Sequence, residues 1–221
     1  MPVVCASTIS AARCASALAD EHGALLWLDE TVTGFRLARG GAQERFGVRA
    51  DLVTFGKAVG AGFPVAALAG RAEVLDALAG GHILHYGTQN ANPALLAVVR
   101  ESLDLLDHAA FARLEGLADR LVAGLRDAIA DTQTRALVQH VGPMLQLLFL
   151  RADHEETAAV HDARDFERSV DADRFRMFAH WLFDRGVYLS PSAALHSVLA
   201  TVHTEAQIDH VMEAARDAPA A

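Results

Sequence analysis

A short apolar run, ALLWL at 24–28, follows an Ala-rich stretch (ISAARCASALADEH, 9–22) and Gly23, and leads straight into Asp29 and Glu30. No other feature constrains the fold as much. The Ala-rich stretch has good helix propensity and Gly23 is placed to end it. An apolar run that short, without alternation, reads as a buried strand of a parallel sheet, with the carboxylates at its C-terminal end. The next stretch, TGFRLARGGAQERFGVRA, is Gly-rich and reads as loop with at most a turn of helix. DLVTF at 51–55 reads as a second strand, GKAVGAGFP as a turn, VAALAG at 65–70 as a third strand, and 71–79 as a helix.

Beyond residue 90 the pattern changes. Pro93 suits the first turn of a helix that runs to about His108. Phe111, Leu114, Leu117, Leu121, Leu125 and Ile129 then form an apolar stripe at helical spacing. Strands are expected near 136–141 and 144–150 around Gly142-Pro143, an acidic loop over 151–170, and a helix over 171–185 stopped by Gly186. Short strands are expected at 187–189 and 196–202, with Thr204 as N-cap of a last helix. The reading is an α/β part, residues 1–110, followed by an α+β part, residues 111–221.

Composition narrows the function classes. The chain is 52% hydrophobic and 21% charged, which describes a folded protein rather than a disordered one. Its 19 basic and 28 acidic residues give a net charge of −9, which argues against a nucleic-acid partner. No run approaches the roughly 20 apolar residues of a membrane helix, and no leader pattern opens the chain. No membrane partner and a cytoplasmic location are therefore expected. Cys5 and Cys14 match neither a redox nor a zinc spacing, so no disulfide or metal site is expected from them. His82 with His85, and His154, Glu155, Glu156, His161 and Asp162, lack a recognised ligand spacing. Ser190 and Ser192 lack a nucleophile elbow. Trp27 and Trp181 read as core, and Arg36 as an ion-pair or substrate group.

Of the 19 basic residues 18 are Arg, and the one Lys is Lys57. Arg does not lose its proton in proteins, whereas a desolvated Lys can become a neutral amine. Chemistry that needs an amine nucleophile would forbid the exchange; a chance survivor is the other reading. Ligands in open α/β sheets bind beyond the C-terminal strand ends, where both Asp29 and Lys57 are expected. A nucleotide triphosphatase would need a G-x-x-x-x-G-K-[ST] loop, and Lys57 is followed by Ala58. The alternative is a pyridoxal phosphate site, with Lys57 as its Schiff-base lysine and Asp29 paired with the protonated ring nitrogen.

Four ordered segments, LLWLDETVTGFR, GGAQERFGV, DLVTFGKAVGAGFPVAAL and GTQNANP, resemble the large-domain motifs of class III pyridoxal-phosphate aminotransferases. GGAQ, GVYLSPS and TVHTEAQID are similar to the glutamate-1-semialdehyde aminomutases of that class. The resemblance covers roughly residues 20 to 215. It implies an aspartate-aminotransferase type fold, with a truncated large domain and a small C-terminal domain. It implies amino-group transfer or 1,2-aminomutase action on a small amino substrate, linked to tetrapyrrole biosynthesis. Lys57 would be the Schiff-base lysine and proton shuttle, and Asp29 the partner of the ring nitrogen. Thr31 stands where Val usually packs on the ring, and its hydroxyl needs a partner. Thr88, after Gly87, would bind the cofactor phosphate of the neighbouring subunit of a homodimer, and Ala91 replaces a usual Gly. Family members are about twice as long, so the N-terminal half is expected elsewhere: in a longer chain, in a separate chain, or lost. A non-catalytic remnant serving as a dimerisation module is the competing reading.

Overall fold

The computed structural model describes residues 8–153 and 159–218. The chain divides into two compact units, one over Ile9–Phe111 and the other over Ala112–Ala221.

The N-terminal unit opens with α1 (Thr8–His22), closed by Gly23 at φ +61. Strand β1 spans Trp27–Glu30, so it begins three residues later than the apolar run and includes both carboxylates. The residues before it serve β2 (Leu52–Phe55) instead: the Leu26 carbonyl accepts from Asp51 N and Leu52 N, and Leu26 N donates to Asp51 Oδ2 at 2.8 Å. Strands β1 and β2 are parallel, with Asp29 opposite Thr54 and Glu30 opposite Phe55. Strand β3 (Ala67–Gly70) adds antiparallel to β2, giving the order β1-β2-β3 with β1 at an edge. Trp27 is 61% exposed there. The expectation that it is core is corrected: an edge strand covers an outward-facing side chain only if something packs against it, and among the described residues nothing buries it.

The Gly-rich connection contains a six-residue helix, α2 (Gly41–Phe46). Its N-terminus is satisfied by Glu30, whose carboxylate is 1% exposed and accepts from Ala42 N at 2.7 Å, Gln43 N at 3.0 Å and Thr33 Oγ1 at 2.8 Å. Gly41 is obligatory at this point. It lies at φ +70, and a Cβ on it would stand 2.1 Å from Glu30 Oε2. A 3₁₀ turn (Lys57–Gly60), α3 (Ala72–Ala79) and α4 (Pro93–Leu105) complete the unit, α4 packing on the 3₁₀ turn. Asn92 caps α4 by accepting from Ala94 N and Leu95 N.

The C-terminal unit is built on α5 (His108–Thr132), whose buried face carries Leu114, Leu117, Leu121 and Leu125. An antiparallel sheet of β4 (Ala136–Val141), β5 (Met144–Phe149) and β6 (Ser197–Val198) packs with α7 (Ala172–Phe183) and α8 (Glu205–Arg216) around one apolar core. Every residue of β5 is buried. Thr204 caps α8 in a reciprocal box with Gln207. Two expectations are corrected. The acidic stretch contains helix α6 (Ala163–Ser169), started by the Asp162 side chain accepting from Arg164 N and Asp165 N. Residues 187–189 form no strand, and the last strand is two residues long.

Candidate active site

Parallel pairing brings the C-terminal ends of β1 and β2 side by side, so Asp29 and Lys57 share one end of the sheet. Asp29 is the third residue of β1 and is exposed. Its Oδ1 accepts from Thr31 N at 2.9 Å and from Thr54 Oγ1 at 3.2 Å. The Thr31 side chain, with these donors, holds the carboxyl below the ordinary aspartate range; slight desolvation opposes the shift and the charge of Lys57 adds to it. Asp29 is thus ionised, and Lys57 is near enough to act on it.

Lys57 is exposed and has a left-handed backbone, φ +48, which is uncommon for a residue with a side chain. It is the first residue of the 3₁₀ turn, directly after the buried Gly56. A Cβ on Gly56 would lie 3.1 Å from Thr31 Cγ2, so the chain before Lys57 passes close beneath the Thr31 methyl. Asp29, Thr31 and Lys57 therefore belong to one small constellation.

Gly87 and Thr88 do not join it. They lie in an exposed loop between α3 and α4, and among the described residues no hydrogen bond links them to Asp29 or Lys57. Ile83, Leu84 and Tyr86 in the same loop are 56%, 78% and 83% exposed. Ala91, which ends the loop, has φ +54, the conformation that favours glycine. Arg36 is partly buried, its Nε donates to the Val32 carbonyl at 3.3 Å, and desolvation lowers its pKa. The sequence marks Glu30 only as a strand-end carboxylate; its further signal is the Gly pair ten residues on, where Gly41 makes room for it.

Concavity does not single out this constellation. An apolar cavity of about 480 Å³ in the C-terminal unit is lined by Leu121, Leu145, Phe175 and Ile208, among others. A polar hollow of about 780 Å³ in the N-terminal unit lies among Arg13, Asp20, Arg49 and Arg71. Neither contains Asp29 or Lys57, whose charges lie on an open face. Among the described residues no group of three or more His, Cys, Asp or Glu could hold a metal ion; His154, Glu155 and Glu156 lie outside them, as does Cys5. Among the described residues no helix is long and apolar enough to cross a membrane.

The chain matches the model of the class-III aminotransferases over residues 4–218. It is 39% identical over 203 residues to a glutamate-1-semialdehyde 2,1-aminomutase of Anaeromyxobacter sp. (strain Fw109-5), covering 91% of this chain and 46% of that protein. The chain therefore spans about half the length of the curated relatives it matches. An omega-transaminase from Sphaerobacter thermophilus superposes with a TM-score of 0.79 at 25% identity, over 94% of this chain and 47% of its own. The PLP internal aldimine form of the Sphingopyxis sp. MTA144 FumI protein gives a TM-score of 0.76 at 25% identity, over 94% and 45%.

Proposed function

We propose, from the premise that this chain belongs to the class-III aminotransferase family, that it supplies the lysine-bearing part of a pyridoxal phosphate site for amino-group transfer or 1,2-aminomutase action on a small amino substrate resembling glutamate-1-semialdehyde. The observation that carries this reading is the Asp29 carboxylate on one parallel strand, held by Thr31 N and Thr54 Oγ1, and the one Lys of the chain, Lys57, just past the end of the next. In this reading residues 1–110 are the C-terminal part of the large, cofactor-binding domain and residues 111–221 are the small domain.

The residues fit such a group. A carboxylate held in its charged form suits a cationic ring N–H, the Lys57 side chain is accessible to an aldehyde, and the Gly56 cradle leaves the Thr31 methyl as an apolar contact. When bound, the cofactor supplies an electron sink for carbanion chemistry. Asp29 keeps a full negative charge at the ring-nitrogen position. Lys57 offers the amine that holds the group covalently and, once released, carries a proton to and from the substrate carbon. Thr31 packs against the ring, and Gly87 with Thr88 serves the phosphate of a neighbouring subunit in a homodimer. The remaining phosphate donors and pocket walls come from residues outside these 221, whether in a longer chain or a second one. Ile83, Leu84 and Tyr86, exposed around Thr88, support an interface there; they equally support the rival reading, a remnant that only associates.

Borohydride reduction after incubation with pyridoxal phosphate separates the two. The label is expected on the peptide containing Lys57, the one side-chain amine available, and absent from Lys57→Arg, because a guanidinium forms no such bond. A chain that takes up no cofactor at high concentration leaves the association module as the surviving function.

A further inference from the structure

Two strands hold the Asp29 carboxylate. From the adjacent strand, Thr54, the register partner of Asp29, donates its hydroxyl to Oδ1 at 3.2 Å. The backbone N–H of Thr31 donates to the same oxygen at 2.9 Å. An ionised carboxylate has about four acceptor positions, and these two donors, both on Oδ1, leave Oδ2 for an incoming group. Asp29 is exposed and sits on an edge strand, where its side chain would otherwise sample several rotamers.

We propose that Thr54 is a positioning residue for Asp29, its hydroxyl fixing the carboxylate so that the remaining acceptor capacity is reserved for a cationic ring N–H. The inference rests on the reading of Asp29 as the partner of the cofactor's ring nitrogen. The Thr54 hydroxyl does not titrate in the working range, so it holds the carboxylate at any pH at which Asp29 is ionised. Among the groups acting on Asp29 only Lys57 carries a charge. A Val at position 54 would keep the side-chain shape and lose the tether.

The test is the titration of Asp29 in the full 221-residue chain, by NMR of carbon-13 carboxyl-labelled aspartate, with the signal assigned by its loss in Asp29→Asn. Its midpoint is expected to rise in Thr54→Val. Thr54→Ser keeps the hydroxyl, holds the midpoint low and controls for misfolding. Pyridoxal phosphate binding, followed separately by absorbance, is expected to weaken roughly threefold to tenfold in Thr54→Val. An unchanged midpoint in Thr54→Val overturns the inference while parental cofactor uptake leaves the function reading standing. A raised midpoint with unaltered cofactor affinity also overturns it. A parent chain that binds no cofactor overturns the function reading and this inference with it.

Discussion

In the C-terminal unit Leu148, Leu182, Val160 and Val170 are at most 2% exposed, and Tyr188 and Val202 are exposed around a continuous core. In the N-terminal unit Leu25, Trp27, Ile83, Leu84 and Tyr86 are all more than half exposed, and the buried apolar residues are few: Leu37, Phe46, Val48, Ala50, Val53 and Val59. Any apolar face or edge of a three-stranded sheet needs cover. The C-terminal unit obtains it from α5, α7 and α8, whereas β1 has a free edge among the described residues. The proposed chemistry, on Asp29 and Lys57, belongs to the less closed unit. What stabilises this chain and what makes it reactive are thus located in different places, and only the first is self-sufficient.

The contrast can be broken at three levels. The largest effect concerns turnover. The 221 residues alone are expected to convert glutamate semialdehyde at least about a hundredfold more slowly than the same residues joined to, or mixed with, the half that the relatives possess and this sequence lacks. Lost positioning contacts of this kind are paid in rate. Equal rates with and without that half would show the open unit to be catalytically sufficient. The second effect concerns stability. Leu148→Ala is expected to cost about 2–5 kcal/mol in urea unfolding, and Trp27→Ala to stay within about 0.5 kcal/mol. A large cost for Trp27→Ala would mean that the edge is covered in solution. The third effect is the smallest. In a dimer Thr88→Ala is expected to weaken cofactor binding by about 1–3 kcal/mol, the loss of a charge-assisted hydrogen bond, measured by equilibrium dialysis; a variant that binds as tightly as the parent removes Thr88 from the phosphate site.

The sequence read well where local signals and tertiary packing agree. Gly23, Pro93, Gly186 and Thr204 all punctuate helices as their chemistry requires. Asp29 and Lys57 were legible because a strand end and a solitary Lys are one-dimensional facts. Trp27 was misread because burial depends on which strand forms the edge, and that is a property of the sheet. Helix α6 was masked by acidic composition, although Asp162 followed three residues on by Asp165 is a helix-start pattern. The role of Glu30 needed three dimensions: its donors at 42 and 43 come from beyond a ten-residue loop. So did the tether of Asp29 to the Thr54 hydroxyl. Ala91 stood out as a missing Gly, and its φ of +54 gives the physical reason for glycine there.

Four-residue edge strands ordinarily fray from their ends, and amide exchange at such termini approaches that of free peptide. The buried Glu30 reverses this order in β1. Its carboxylate is tied to Thr33, Ala42 and Gln43, and its carbonyl accepts from Gly34 N at 2.9 Å. Opening the last residues of β1 therefore requires unseating α2 as well, so the two ends of the loop breathe as one cooperative unit. Protection from exchange should climb along β1 from Trp27 toward Glu30. The slowest-opening point of this exposed strand then lies next to Asp29, the carboxylate proposed to face a cationic ring.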